Sequence, residues 1–253
     1  MSGHSKWASI RHKKAVVDAK RGQMFTKLIK EITVAAREGG GNIETNSRLR
    51  TVVNKAKEMN MPWENIERAI KRGTGELPGV SYETVIYEGY AEGGVAVMVE
   101  ALTDNKNRTT AEIRNIFSKK GGNLAGTGSV SWMFSKKGYI LLDRSAVKIN
   151  EDELLSLVLD GGAEDLKQDD KNFEIICQPQ DLENIKSILQ QKGIKFQSAE
   201  ITFLPSSVVR VTGDAAKRVL ELVETLEEHE DVQNVYANFD IPDEIMEQIS
   251  STA

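Results

Sequence analysis

Between residues 138 and 203 the chain reads GYILLD (138–143), EDELLSLVL (151–159), EDLKQ (164–168), NFEIIC (172–177), QDLENIKSILQQ (180–191) and KFQSAEITF (195–203). Short alternating runs are strand signals, and apolar residues recurring every three or four positions are helix signals. The order is therefore strand, helix, strand, strand, helix, strand. It predicts a ferredoxin-like split βαβ sandwich, with two helices laid on one sheet.

The flanking segments follow a related pattern. Thr84–Tyr90 and Val95–Leu102 read as strands joined by Ala-Glu-Gly-Gly, which is a hairpin signal. A helix is expected over 109–119, with Thr109 and Glu112 as its capping box, and a further strand over 128–134. Beyond Pro205 come a strand (VVRVT), a helix (Asp214–Leu226) and a strand (VQNVYANF). Three elements are too few to stand alone. They are expected to rejoin the sheet begun at residue 82, which makes the 137–204 domain an insertion into it.

Upstream of residue 82 the period is helical. Phe25, Leu28, Ile29, Ile32 and Ala36 form one stripe, ended by Gly39-Gly40-Gly41. Leu49, Val52, Val53, Ala56 and Met59 form a second, with Asn46 or Ser47 as its cap. Pro62 suits a first helical position, Ile66, Ala69 and Ile70 make a third stripe, and Gly73 is expected to stop it. GTGELPGVS (73–81) reads as a linker. The fold class expected is α+β in three domains: a three-helix bundle followed by two ferredoxin-like α/β-sandwich domains, the last inserted into the middle one. The expected boundaries are 1–75 for the basic bundle, 82–136 with 205–240 for the middle domain, 137–204 for the insertion and 241–253 for a tail helix.

The formal net charge of −5 conceals an asymmetry. Residues 1–75 hold 16 Lys+Arg against 7 Asp+Glu, and residues 76–253 hold 17 against 31. A balance of +9 in one part and −14 in the other suggests that the basic part meets a polyanion. The N-terminal arm mixes cations with an aromatic: Lys6, Trp7, Arg11, His12, Lys13 and Lys14. Cations neutralise phosphates and release counterions, and an aromatic can stack on an exposed base. Lys20, Lys27, Lys30 and Arg37 project on the side of the first helix opposite its apolar stripe. Together with Arg21, Arg48, Arg50, Lys71 and Arg72 they make a basic domain, and this set is the nucleic-acid-binding candidate.

Two loops form a second set of contact candidates. Asp104, Asn105, Lys106, Asn107 and Arg108 lie between a strand and a helix, where a helix N-terminus can hold an anion. The same Asn and Asp side chains also satisfy local backbone, so a purely structural loop is the competing reading. Lys119 and Lys120 precede, and Asn123 lies within, the Gly-rich stretch 121–128, which reads as a flexible loop. A phosphate-binding P-loop would need Lys at 127 and Ser or Thr at 128, but Thr127 and Gly128 stand there.

Enzymatic chemistry finds little support. Of the three histidines, His4 and His12 fall in the basic arm and His229 in an acidic helix end. No HExxH or Gly-x-Ser-x-Gly motif occurs, so no catalytic residue, metal ligand or cofactor is expected. Cys177 is the sole cysteine and sits in a strand context, so it reads as a core residue. No apolar run is long enough to span a membrane. A cytoplasmic protein is expected, with nucleic acid as its partner and no membrane or small-molecule substrate.

Several longer stretches resemble the YebC/PmpR-type regulators, whose mitochondrial relatives are translational activators of cytochrome oxidase. They are GHSKWASIRHKKAVVDAKRGQMFTKLIKEI, NMPWENIERAIKRG, YEGYAEGGVAVMVEALTDNKNRT and GGNLAGTGSVSWMF, with weaker agreement as far as NVYANFDI. One departure is Asn42-Ile43, where the family usually carries Asp-Pro after its glycines. The resemblance implies one helical and two α+β domains, no enzymatic activity and no obligatory cofactor. It also implies a regulator of gene expression, described in the family either as a DNA-binding transcriptional regulator or as a ribosome-associated factor that assists translation, including at proline-rich stretches.

Overall fold

The structure is a computed structural model that describes residues 18–169, 171–242 and 245. It divides into two compact units. One comprises Trp132–Arg210 with Asn238–Asp240. The other comprises the described residues up to Ser131, Val211–Ala237 and the described residues from Ile241 onward.

The larger unit begins with three helices: α1 (Asp18–Gly39), α2 (Ser47–Glu58) and α3 (Trp63–Thr74). Their stripes meet in one core of Leu28, Ile32, Ala35, Ala36, Leu49, Val52, Val53, Ala56, Met61, Ile66 and Ala69. Asn46 caps α2 as its residue type predicts, its side-chain oxygen accepting from the Leu49 N–H at 3.0 Å. Gly73 does not end α3. The helix runs to Thr74 and closes on Gly75, which adopts the left-handed conformation at φ 82°. Gly73 instead lies where a Cβ would overlap the Thr33 carbonyl oxygen and crowd Ala36 of α1. It therefore permits the close approach of α1 and α3.

The same unit continues with β1 (Glu83–Tyr90), β2 (Ala96–Thr103), α4 (Lys106–Lys119) and β3 (Asn123–Leu124). After the intervening unit it is completed by α7 (Gly213–Glu228) and β9 (Val232–Ala237). The sheet order is β3-β1-β2-β9, antiparallel throughout, and α4 packs against α7. Its connections run ββαβαβ, so the sandwich layering is present without the split βαβ order. Phe117 of α4 fits beneath β1 because Gly89 has no side chain: a Cβ there would stand 2.7 Å from its ring.

Three local expectations change. The helix expected from residue 109 starts at Lys106, because Asn105 rather than Thr109 caps it, accepting from the Arg108 N–H at 3.1 Å. Of the strand expected over 128–134 only Phe134 is in a strand. The Gly128, Val130 and Ser131 N–H groups donate instead to the Glu88 carboxylate, each at 2.7 Å, so none is left for a ladder. Of VVRVT only β8 (Val209–Arg210) is a strand, and it pairs in parallel with β10 (Phe239–Asp240) rather than with the sheet begun at β1.

The smaller unit follows the order β4 (Phe134–Asp143), α5 (Glu151–Asp160), β5 (Ala163–Gln168), β6 (Asn172–Cys177), α6 (Leu182–Gln191) and β7 (Ser198–Pro205). The sheet order β5-β6-β4-β7 with antiparallel neighbours is the ferredoxin-like arrangement. Ile140, Leu142, Phe173 and Ile175 of the sheet pack with Leu154 and Val158 of α5 and Ile185 and Leu189 of α6. Cys177 is buried in this core, and its thiol is pushed up to about 11 by burial and by the charges of Asp181 and Glu164. A thiol held protonated in this way is a packing group, not a nucleophile. Most of the expected 241–253 tail lies outside the described residues, as do the arm residues Lys6, Trp7, Arg11, His12, Lys13 and Lys14 and the Lys20 side chain.

Candidate nucleic-acid interface

The cations expected on the outer face of α1 separate into two groups. Arg21 is exposed, its guanidinium 5.6 Å from the Phe25 ring centre. Lys30, by contrast, is buried and is removed from the candidate surface. Residues 32–36 of α1 are buried on every side, so this helix is covered beyond its apolar stripe. Thr33 and Ala36 lie against Ala69 and Gly73 of α3, while Lys27 and Lys30 reach carbonyls at and just beyond the C-terminal end of α7, where helix carbonyls lack intrahelical partners and attract cations. Lys27 donates to the Glu227 carbonyl at 2.5 Å, and Lys30 to the Glu230 carbonyl at 3.1 Å. The expectation that Lys27 and Lys30 project to solvent is corrected on that ground. Arg37, still exposed, donates to Ser81 Oγ at 2.6 Å and to the Tyr82 carbonyl at 2.5 Å.

Lys30 ends in an ion pair with Asp231 at 2.5 Å, a residue sequence reading did not single out. The second Asp231 oxygen accepts from Arg108 at 2.8 Å and from Thr109 Oγ1 at 2.7 Å. Burial alone would raise this carboxyl, but the bonds from Lys30, Thr109 and Arg108 outweigh it and draw it down to about 2. His229 Nδ1 accepts from the Asp231 N–H at 3.1 Å, which leaves Nε2 as donor to Glu112 at 3.0 Å. Glu112, His229 and Asp231 bring ligand-type atoms within 4.8 Å of one another. Those atoms already serve protein donors, and Lys30 and Arg108 already neutralise the acids. The cluster therefore reads as an ion-pair hub joining α1, α4 and the turn between α7 and β9.

Arg108 also pairs with Asp104 at 3.0 Å and remains exposed. Asn105 serves as the cap, which leaves Lys106 and Asn107 exposed on the first turn of α4. Lys119 is exposed, Lys120 pairs with Glu221 at 3.4 Å, and Asn123 is exposed in β3. The Gly-rich stretch is closed down rather than loose. The Ala125 N–H donates to the Glu88 carbonyl at 2.8 Å and the Gly128 N–H to the buried Glu88 carboxylate, which also takes the Val130 and Ser131 N–H groups just beyond the stretch, and the Tyr90 hydroxyl donates to the Ser129 carbonyl at 3.0 Å. Desolvation would raise the Glu88 carboxyl, yet those backbone N–H groups hold it below the ordinary carboxylate range.

Further cations turned to solvent lie on α2 and α3. Arg48 is exposed and pairs with Glu38, while Arg50 is exposed and donates to the Glu44 carbonyl at 3.2 Å. Lys71 is half-buried and pairs with Glu67 at 2.7 Å, and the exposed Arg72 packs its stem against Gly79. Lys55, Lys57 and Arg68, outside the candidate set, are exposed on the same two helices. So is Trp63, at 48% of its surface, with the Lys57 ammonium 5.4 Å from its ring centre. Its sequence signal was an aromatic at the first helical position, ahead of the stripe of Ile66 and Ala69.

Among the described residues no helix is long and apolar enough to cross a membrane. Residues 5–76 match the model of the TACO1/YebC protein N-terminal domain, and residues 82–239 match that of the TACO1/YebC second and third domain. A protein of Dictyoglomus turgidum named "Probable transcriptional regulatory protein" is 56% identical over 250 residues, covering 99% of this chain and all of that one. A protein of Thermotoga maritima with the same name is 57% identical over 251 residues, covering 99% and 98%. The crystal structure of a conserved hypothetical protein from Aquifex aeolicus superposes with a TM-score of 0.80 at 52% identity, covering 94% of this chain and 97% of that one. The chain belongs to the TACO1/YebC family.

Proposed function

We propose that this chain is a non-enzymatic, cytoplasmic regulator of gene expression that grips nucleic acid with the exposed cations of α2 and α3. The observation that carries the reading is the surface itself: Arg50, Lys55, Lys57 and Arg68 stand exposed on a bundle whose other cations are largely engaged within the protein. A solvated cation neutralises a phosphate and releases its counterion, whereas a cation already paired gains little. The names of the relatives favour control of transcription, with duplex DNA as the partner. A second reading, a ribosome-associated translation factor, is favoured by the exposed indole of Trp63 beside those cations, because unpaired bases stack on such rings.

Sedimentation of a cell lysate at about 0.15 M salt, where exposed charges more than about 8 Å apart are screened, separates the two readings. The transcriptional reading expects the protein in a nucleoid fraction from which DNase releases it. Comigration with ribosomes that RNase abolishes and DNase does not would overturn that reading in favour of the second. Recovery wholly in the free fraction would contradict both.

A further inference from the structure

Trp63 is the first residue of α3 and lies at the edge of the helix's apolar stripe, where folding does not require an aromatic. Nearly half of its surface is open to water. On α2 the exposed residues Arg50, Asn54 and Lys57 recur at i, i+4 and i+7, so they share one face of that helix. At 1.5 Å per residue, Arg50 and Lys57 stand about 10 Å apart along the axis. The Lys57 ammonium reaches the indole at a distance suited to a cation–π contact. This contact places a positive charge over the ring.

We propose that Trp63 is a stacking platform for an unpaired base of a single-stranded nucleic acid, with Lys57 and Arg50 engaging the phosphates beside it. The proposal rests on the nucleic-acid reading above and adds the conformation of the strand. A base held inside a duplex offers no free face to a surface ring, so the platform selects single strands. Exposed Glu58 and Glu64 lie next to Lys57 and Trp63 in the sequence and weaken purely ionic attraction at this spot. Stacking, not charge, is therefore the main energy of the contact.

The test uses the full chain and three fluorescein-labelled probes: a 12-nucleotide oligo-U, a 12-nucleotide oligo-dT and a 12-base-pair duplex. Anisotropy titrations compare wild type with Trp63→Ala and Trp63→Phe, with circular dichroism confirming the fold. One stacked base is worth about 1–3 kcal/mol, so Trp63→Ala is expected to weaken single-strand binding by roughly 5- to 150-fold. Trp63→Phe is expected to retain most of the affinity, and duplex affinity and the salt slope are expected not to move. Loss from Ala and Phe alike, equal loss on single strand and duplex, or no loss at all on strands the wild type binds overturns the platform and leaves the exposed cations of α2 and α3 as the site. Failure of the wild type to bind any probe defeats the underlying reading as well, and is distinguished by that result. Oligo-U against oligo-dT shows whether the sugar is read.

Discussion

Asp231 shows how one residue can redirect a charge pattern. Its carboxylate, 1% exposed, holds Lys30, Arg108 and Thr109. A carboxyl drawn from the ordinary value near 4 down to about 2 contributes on the order of 2 kcal/mol to stability. The sign follows from the depressed value: the contribution is complete above the unfolded carboxyl's range and is lost as pH falls through about 4 towards 2. Asp231→Asn is therefore expected to destabilise the protein by about 3 kcal/mol at pH 7, because Lys30 remains buried without its counter-charge. Urea unfolding at pH 7 and pH 3 checks this, the gap between the two proteins narrowing by about 1 kcal/mol on acidification. A gap that stays constant would mean that the ion pair is not its source. The residue was not legible beforehand. Helical projection places Lys30 opposite the apolar stripe, but one helix's periodicity does not say which element covers its far side.

Elements were legible where their own periodicity decides them. The stripes of α1, α2 and α3, the β1–β2 hairpin and the whole β4–β7 order follow from spacing alone. Elements decided by a distant group were not. The stretch 128–134 alternates like a strand, yet Glu88, some 40 residues earlier, takes the N–H groups a strand would need. Gly73 has the residue type of a helix stop, yet serves as the contact point of two helices. Gly73→Ala tests the contact. Gly73 is not in the left-handed conformation of a stop, and at an ordinary helix position Ala would be tolerated or favoured. The contact with Thr33 and Ala36 instead predicts a loss of about 2 kcal/mol from overpacking, read as a lower urea midpoint with an unchanged slope. Equal or higher stability would show that α1 and α3 do not depend on that approach.

At the scale of the whole molecule, the charge asymmetry of +9 against −14 was legible from composition, but its use was not. Part of the positive charge lies inside: Lys30 is buried against Asp231, Lys27 is bound to a carbonyl of α7, and Arg48 and Lys71 are paired at the surface. Exposed cations outside the expected set, Lys55, Lys57 and Arg68, lie on α2 and α3 beside an aromatic that composition does not mark. The central claim is that the exposed cations of α2 and α3, and not net charge in general, bind nucleic acid. The most direct test is the dependence of binding affinity on salt for wild type and for the quadruple variant Arg50→Glu, Lys55→Glu, Lys57→Glu and Arg68→Glu. Each neutralised phosphate adds about 0.9 (duplex) or about 0.7 (single strand) to the log–log slope. The account predicts that the variant, folded by circular dichroism, loses at least about 100-fold in affinity near 0.1 M salt, and that its slope falls by about three. Unchanged affinity and slope in a folded variant would contradict it.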